Sequence, residues 1–305
     1  MEKKKLIGHI ALLAANIIFG LNTTISRTLM PQTLSPYTLT FFRLAGAMLL
    51  FWTVSMFIKR EHVPAKDILL LFFASIFALV LNQLPYFVGL SITSPIDASI
   101  VVTTLPILTM ILAAIIIKEP ITMMKAVGVL VGASGALLLV FSSHAPKVGE
   151  SNFWGNVIVL SAVVSFAIYL TVFKKLISRY SPITIMKWMF LFATIMIYPF
   201  CQNSLLQTDY STFTISVYLR ITYVVVFSTF ITYILIAIGQ KVLRPTTFSM
   251  YNYIQPIVAS FAAVFIGMDT FGIEKAMAAV LVFAGVYIVT QSKSRVQLDA
   301  EKKKP

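Results

Sequence analysis

Charge is what this sequence has least of. Only 11% of its 305 residues are Asp, Glu, Lys or Arg, while 58% are hydrophobic, and the mean hydropathy is +0.89. A water-soluble domain carries about 25% charged residues, so the chain is expected to live in a lipid bilayer. Cys201 is the sole cysteine, which excludes an internal disulfide. His9, His62 and His144 lie far apart and have no metal-ligand spacing. No Gly-rich phosphate loop ending in Lys-Ser/Thr occurs, so ATP-driven pumping by this chain is not expected, and no cofactor or metal is called for. Acids are scarce, and none falls at the centre of an apolar run. Asp97, Glu119, Asp269 and Glu274 sit near run ends and Asp209 in a loop. Proton-coupled carriers generally need a buried titratable group. Facilitated diffusion or exchange therefore fits better, with Asp97 the remaining candidate for coupling.

Basic residues are more numerous, and the net charge is +13. They are scattered among turns and tails with no continuous stripe, so no nucleic-acid partner is expected. A bilayer span takes about 20 apolar residues. Ten runs of that kind lie near 6–28, 37–58, 67–91, 95–117, 122–142, 153–173, 182–200, 214–239, 246–267 and 272–291. With the N-terminus placed inside, nineteen Lys and Arg fall in inner segments and four in outer ones, with Arg43 inside a span. That bias puts both termini in the cytoplasm of a multi-pass protein of the cell's inner membrane. The N-terminal run is too long for a cleaved signal and lacks a small-x-small site, so it reads as a retained first helix.

The chain repeats itself at an offset of 150 positions. Pro95 matches Pro245, Ser99 matches Ser249, Pro106 matches Pro256, Glu119 pairs with Asp269, Lys125 matches Lys275, Gly89 matches Gly239 and Gly135 matches Gly285. Repeats dictate architecture. The units are residues 1–148 and 149–305, the latter with a short basic tail. Each holds five spans, an odd number, so the second unit must be inverted relative to the first. Inverted halves provide two similar gates around a central site, the arrangement of many secondary transporters.

These features resemble the ten-helix EamA-type branch of the drug/metabolite transporter superfamily. Ser35-Pro36 followed by Arg43, the mid-span Pro106 and Pro256, the acid-capped turns at Glu119 and Asp269, and the glycines Gly135 and Gly285 carry the resemblance, which covers essentially the whole chain. Two departures stand out: Phe19-Gly20 replaces the frequent Trp-Gly of the first span, and Met189 stands where the first half has Arg43. The resemblance implies export or exchange of small metabolites, amino acids or drugs across a cytoplasmic membrane.

The residues themselves suggest where a solute would sit. A proline within a helix frees the carbonyl four residues earlier, so Pro106 and Pro256 are candidate hinges exposing Val102 and Asn252; the plainer reading is a packing kink. Tyr251, Asn252 and Gln255 are too polar for a lipid-facing surface at mid-span. Asn82 and Tyr86 share a helix face, Gln83 lies beside them, and Tyr233 occupies the repeat position of Gln83. Asn16 and Tyr169 complete the polar set of spans one and six. Interhelical hydrogen bonding would account for the same residues without a ligand. Arg43 needs a partner and is a candidate anchor for a substrate carboxylate or phosphate, or else a structural residue bonded to carbonyls.

The expectation is an all-α integral membrane protein of ten spans in two inverted five-helix repeats. It would not be an enzyme, because no paired acids, His cluster or Ser-Lys dyad shares one depth. It would carry a small amphipathic metabolite, an amino acid or derivative, aromatic ones included, by alternating access around a midplane site. A lipid or drug translocator, a non-transporting scaffold, and a homodimeric assembly stay open.

Overall fold

The computed structural model describes residues 2–30, 33–93, 98, 101–142, 152–265 and 272–293. Pro95, Asp97, Ser99 and Asp269 lie outside the described residues. Every regular element within them is helical. We number the helices α1 (Glu2–Leu29), α2 (Pro36–Ser55), α3 (Ala65–Ile92), α4 (Leu105–Ile116), α5 (Met123–Ser142), α6 (Phe153–Val172), α7 (Pro182–Gln207), α8 (Ile215–Val242), α9 (245–265) and α10 (Ile273–Gln291). Among the described residues, α1, α2, α3, α6, α7 and α8 contain stretches long and apolar enough to cross a bilayer, and α4, α5 and α10 hold shorter apolar helices. The chain is an all-α integral membrane protein.

Local chemistry sets the helix starts. Ser35 caps α2 by accepting the Thr38 N–H at 3.1 Å, with Pro36 at the first helical position. Ser181 and Pro182 do the same for α7 through the Thr184 N–H at 3.3 Å. Serine supplies the missing acceptor and proline loses nothing there, since its absent N–H would have been unpaired anyway. Asn152 caps α6 through the Gly155 N–H at 3.1 Å.

Three features differ from the sequence expectation. First, Pro106 does not kink a continuous span. A turn at 103–104 interrupts the chain, and α4 begins at Leu105 with Pro106 in its first turn. Likewise α9 breaks at a 3₁₀ turn, Tyr251–Tyr253, and resumes at Ile254 with Pro256 close behind. In both halves the helix is broken just before the proline, where the missing N–H costs least. Second, the prolines inside continuous helix are Pro85 and Pro199. α7 runs through Pro199 to Gln207, beyond the expected end at 200, because one lost hydrogen bond does not stop an otherwise well-formed apolar helix. Third, α3 and α8 each contain a π-helical segment, Ile76–Val80 and Val226–Ile231, beginning 150 positions apart.

The packing has a regular pattern. α3 packs on α6, and α8 on α1; α4 packs on α6, and α9 on α1; α2 packs on α7, α4 on α9 and α5 on α10. Exchanging each helix for the one five places away leaves this list unchanged. The α5–α10 contact is backbone against backbone. A Cβ placed on Gly285 would lie 2.5 Å from the Gly132 nitrogen and 2.7 Å from the Gly128 carbonyl oxygen. Small residues of this kind let helices approach closely where lipid offers no hydrophobic drive.

Candidate functional site

A cavity of ≈ 140 Å³ lies among α1, α2, α3, α4, α6, α8 and α9. One water needs only about 10–15 Å³ on this scale, so the space admits several waters or a small solute. Its polar wall is made largely of amides: Asn16, Asn22, Asn82, Gln83, Asn252 and Gln255. Helix geometry and neighbouring backbone orient them. Asn16 Nδ2 donates to the Leu12 carbonyl at 2.7 Å, and its Oδ1 accepts from Gln255 Nε2 at 2.8 Å, tying α1 to α9. Asn82 Nδ2 donates to the Ala162 carbonyl at 3.0 Å, tying α3 to α6. Gln83 Nε2 donates to the Tyr233 hydroxyl at 2.9 Å. These two residues lie 150 positions apart in sequence, the offset of the expected repeat, and they meet face to face.

The apolar wall carries Phe19, Tyr86, Phe87, Phe166, Tyr233 and Phe248. Phe19 and Tyr233 pack edge-on with ring centroids 6.3 Å apart. Arg43 is the charged group in the described lining. It is 4% exposed. Its Nε donates to Thr229 Oγ1 at 3.1 Å, and its guanidinium lies 5.3 Å from the Phe87 ring centroid. Thr229 belongs to the π segment of α8 and donates onward to the Val224 carbonyl at 2.8 Å. The π segment of α3 also has an external partner: Ser165 Oγ donates to the Phe77 carbonyl at 2.9 Å. A π turn displaces carbonyls from the i→i−4 pattern, and here hydroxyls meet them.

Eight of the ten sequence-nominated residues line this cavity: Asn16, Arg43, Asn82, Gln83, Tyr86, Tyr233, Asn252 and Gln255. Two do not. Tyr169 is buried and stacked between Phe166 and Phe173, at 5.7 and 6.4 Å. Tyr251 turns away, its hydroxyl 2.7 Å from His9 Nδ1. Sequence reasoning missed Asn22 and singled out none of the lining phenylalanines by position. Phe166 lies one residue after Ser165, but an apolar residue in an apolar span carries no signal that it lines a cavity.

Away from the cavity, charged side chains gather at the ends of α3, α4, α6 and α8. Glu119 is paired with Lys125 at 2.9 Å, with Arg244 Nε at 3.9 Å and with the Thr246 hydroxyl at 3.4 Å. Lys118, at φ 54°, makes the tight turn before it. Asp67 accepts from Arg179 Nη1 at 3.1 Å and from the Tyr180 hydroxyl at 2.5 Å. Glu61 accepts the Ser181 N–H at 2.9 Å. Partial burial pushes the Glu61 carboxyl up, but hydrogen bonds from Thr184 and Ser181 outweigh it and hold it below the usual range. Lys174 donates to the Gln240 carbonyl. Burial pushes its ammonium down to about 8, against the opposing pull of Glu119. Each of these groups joins the first half of the sequence to the second, except the Glu119–Lys125 and Lys174–Gln240 pairs.

The fold and the cavity together define a polytopic helical membrane protein with a polar and aromatic chamber between its two halves. The family model described as the EamA-like transporter family matches residues 6–141 and again 153–291. The chain belongs to that family. It is 28% identical over 265 residues to an uncharacterized transporter of Archaeoglobus fulgidus, covering 85% of this chain and 90% of that one. It is 21% identical to the uncharacterized transporter YetK of Bacillus subtilis, covering 97% and 90%. A WAT1-related protein of Arabidopsis thaliana is 20% identical, covering 94% and 84%. A crystal structure with 18% identity superimposes with a TM-score of 0.75 over 95% of this chain and 97% of that one, which bears on the fold alone. The chain is thus a membrane transporter by family.

Proposed function

We propose that the protein is a secondary carrier with ten spans in two inverted repeats, residues 1–148 and 149–305. Both termini would face the cytoplasm of the cell's inner membrane. It moves a small amphipathic metabolite, an amino acid or a derivative with an apolar or aromatic body, as an exporter or exchanger and without chemical conversion. The observation that carries this reading is the chamber itself, walled by both halves and spanned by the repeat counterparts Gln83 and Tyr233. The packing supports the repeat, because its largest helix pairs survive exchange of each helix for its counterpart, although α9 also packs on α5 and α10 with no comparable α4 contact among the described residues. The two helix breaks before Pro106 and Pro256 lie against the same chamber, through Val102, Leu105 and Asn252, and are the proposed hinges. The ion pairs and hydrogen bonds joining the halves at Asp67, Glu61 and Glu119 support a bundle closed at the basic face. Alternating access would open that face by releasing them.

The test is counterflow in proteoliposomes loaded with mixed amino acids and metabolites, run with and without a pH gradient. Uptake of one solute that persists without the gradient is expected. Uptake only with the gradient would transfer the coupling role to Asp97. No flux of any solute by folded protein would discard the carrier reading in favour of a lipid substrate or a non-transporting scaffold.

A further inference from the structure

We infer that the chamber is built for an anion: a monocarboxylate with an apolar or aromatic body and no ammonium group. This inference rests on the carrier reading and narrows its substrate to derivatives that lack the ammonium group, setting free amino acids aside. The chamber's balance of charges and hydrogen-bond donors carries it.

Arg43 brings a full positive charge into the wall, and no Asp or Glu is among the described lining residues. The ion pairs among the described residues involve Lys125, Arg179 and Arg244, not Arg43. Its Nε is held by Thr229 Oγ1, and Phe87 lies beside the guanidinium. That fixes the plane of the fork while the two terminal amino groups donate to no described residue. A buried cation in a membrane protein is costly until an opposite charge meets it. A guanidinium fork fits a planar carboxylate with two parallel hydrogen bonds.

Tyr233 adds a neutral donor beside the guanidinium. It shares the wall with Arg43, to which it is electrostatically coupled, and its oxygen accepts from Gln83 Nε2. Its hydroxyl proton is therefore directed elsewhere, and no described residue takes it. Exchanging the two ends of the Gln83 amide would move the spare donor from the phenol to the amide, not remove it. The chamber thus presents a guanidinium, a spare neutral donor and the unpartnered Gln83 Oε1 acceptor, with no carboxylate among the described lining residues. An ammonium group would meet amide oxygens and ring faces but no compensating negative charge, and would be repelled by Arg43. The ring-lined remainder, with Phe19, Phe166 and Phe248, suits an apolar body.

The experiment compares three probes of nearly one shape on the purified full chain: phenylacetate, neutral phenylacetamide and cationic phenethylamine. Binding is read by titration calorimetry and by the shift in thermal unfolding at pH 7.5, alongside the counterflow assay. Phenylacetate is expected to bind at least ten-fold tighter than either neighbour. Arg43→Gln should remove at least ten-fold of that preference while leaving phenylacetamide unchanged, and Arg43→Lys should keep part of it. Amide or amine binding as tight as phenylacetate in the wild-type protein overturns the inference whether or not the variants fold. So does an Arg43→Gln variant that weakens all three probes alike, since that marks a purely structural arginine. Counterflow that carries only neutral or cationic solutes also overturns it while the carrier reading stands. Absence of any flux sinks both.

Discussion

Replacing Gly285 by alanine tests whether the α5–α10 contact holds this fold together. The added Cβ would stand 2.5 Å from the Gly132 nitrogen, 2.7 Å from the Gly128 oxygen and 2.7 Å from the Gly132 Cα, where ordinary contact begins at 3.4 Å. All three neighbours are backbone, so no side chain can swing aside. The two helices must separate by roughly 1 Å, and every contact along them weakens together. Overpacking costs about 1–3 kcal/mol, and the backbone neighbours place this case at the upper end. Alanine's better helix propensity returns up to about 1 kcal/mol. The net expectation is a loss of about 2 kcal/mol, read as a lower midpoint in thermal or denaturant unfolding of detergent-purified protein. Gly272→Ala is the control. Its Cβ meets first the carboxylate end of Glu274, at 2.5 Å, which can rotate away; Gly272 is the N-cap of α10, where alanine is the poorer cap, so a loss of no more than about 1 kcal/mol is expected. A Gly285→Ala protein as stable as wild type, or a control equally damaged, would refute the reasoning.

Two further outcomes follow from the charged face. Glu119→Gln leaves the Lys125 ammonium, whose side chain is 1% exposed, without its counter-charge and should cost about 3–5 kcal/mol. The double variant Glu119→Gln/Lys125→Met should recover much of that loss in the same unfolding assay, and strictly additive losses would count against a coupled pair. Lys174, at about 8 in the folded protein against 10.5 for the free side chain, makes stability depend on pH with a definite sign. Between about pH 8 and 10.5 the unfolded chain keeps a proton that the folded chain has released, so stability rises with pH, by up to about 3 kcal/mol across the window, and is flat in this respect below it. Unfolding measured from pH 7.5 to 10.5 should show this slope in the wild type and lose it in Lys174→Met; equal slopes would refute it.

What the sequence made legible follows from how strongly each feature is constrained. Bilayer thickness fixes span length, so long apolar runs are legible; among the described residues α7 runs past Pro199 because one missing N–H does not stop a helix, and α4 starts at Leu105 after a turn where the run began at 95. The proposed repeat rests on Pro, Gly and acid, punctuation that survives when apolar residues interchange. The π segments were not legible. Nothing in Ile76–Val80 or Val226–Ile231 marks a wider turn locally; the hydroxyls and the guanidinium that contact them come partly from other helices, Ser165 on α6 and Arg43 on α2. Mid-span polarity nominates Tyr169 and Tyr251 for a cavity wall, but neither is among the described lining residues. A tyrosine is mostly ring, and aromatic stacking or one histidine satisfies it as well.

The meeting of Gln83 with Tyr233 explains why the chamber need not be as symmetric as the fold around it. On the proposed repeat, counterpart residues can come within hydrogen-bond distance of each other only at the axis relating the two halves. Two identical side chains there would have to share one position and one polarity. A Gln facing its own copy would oppose donor to donor or acceptor to acceptor in one of its orientations, and two tyrosines would crowd. An amide on one half and a phenol on the other resolve the clash, as the 2.9 Å bond attests. Once the axis is occupied by unlike groups, the two halves of the chamber become chemically distinct. Arg43 extends the distinction, because its counterpart Met189 is fully buried and apolar. A solute anchored by its charge on the Arg43 side would therefore enter the chamber in one orientation, whichever gate admitted it.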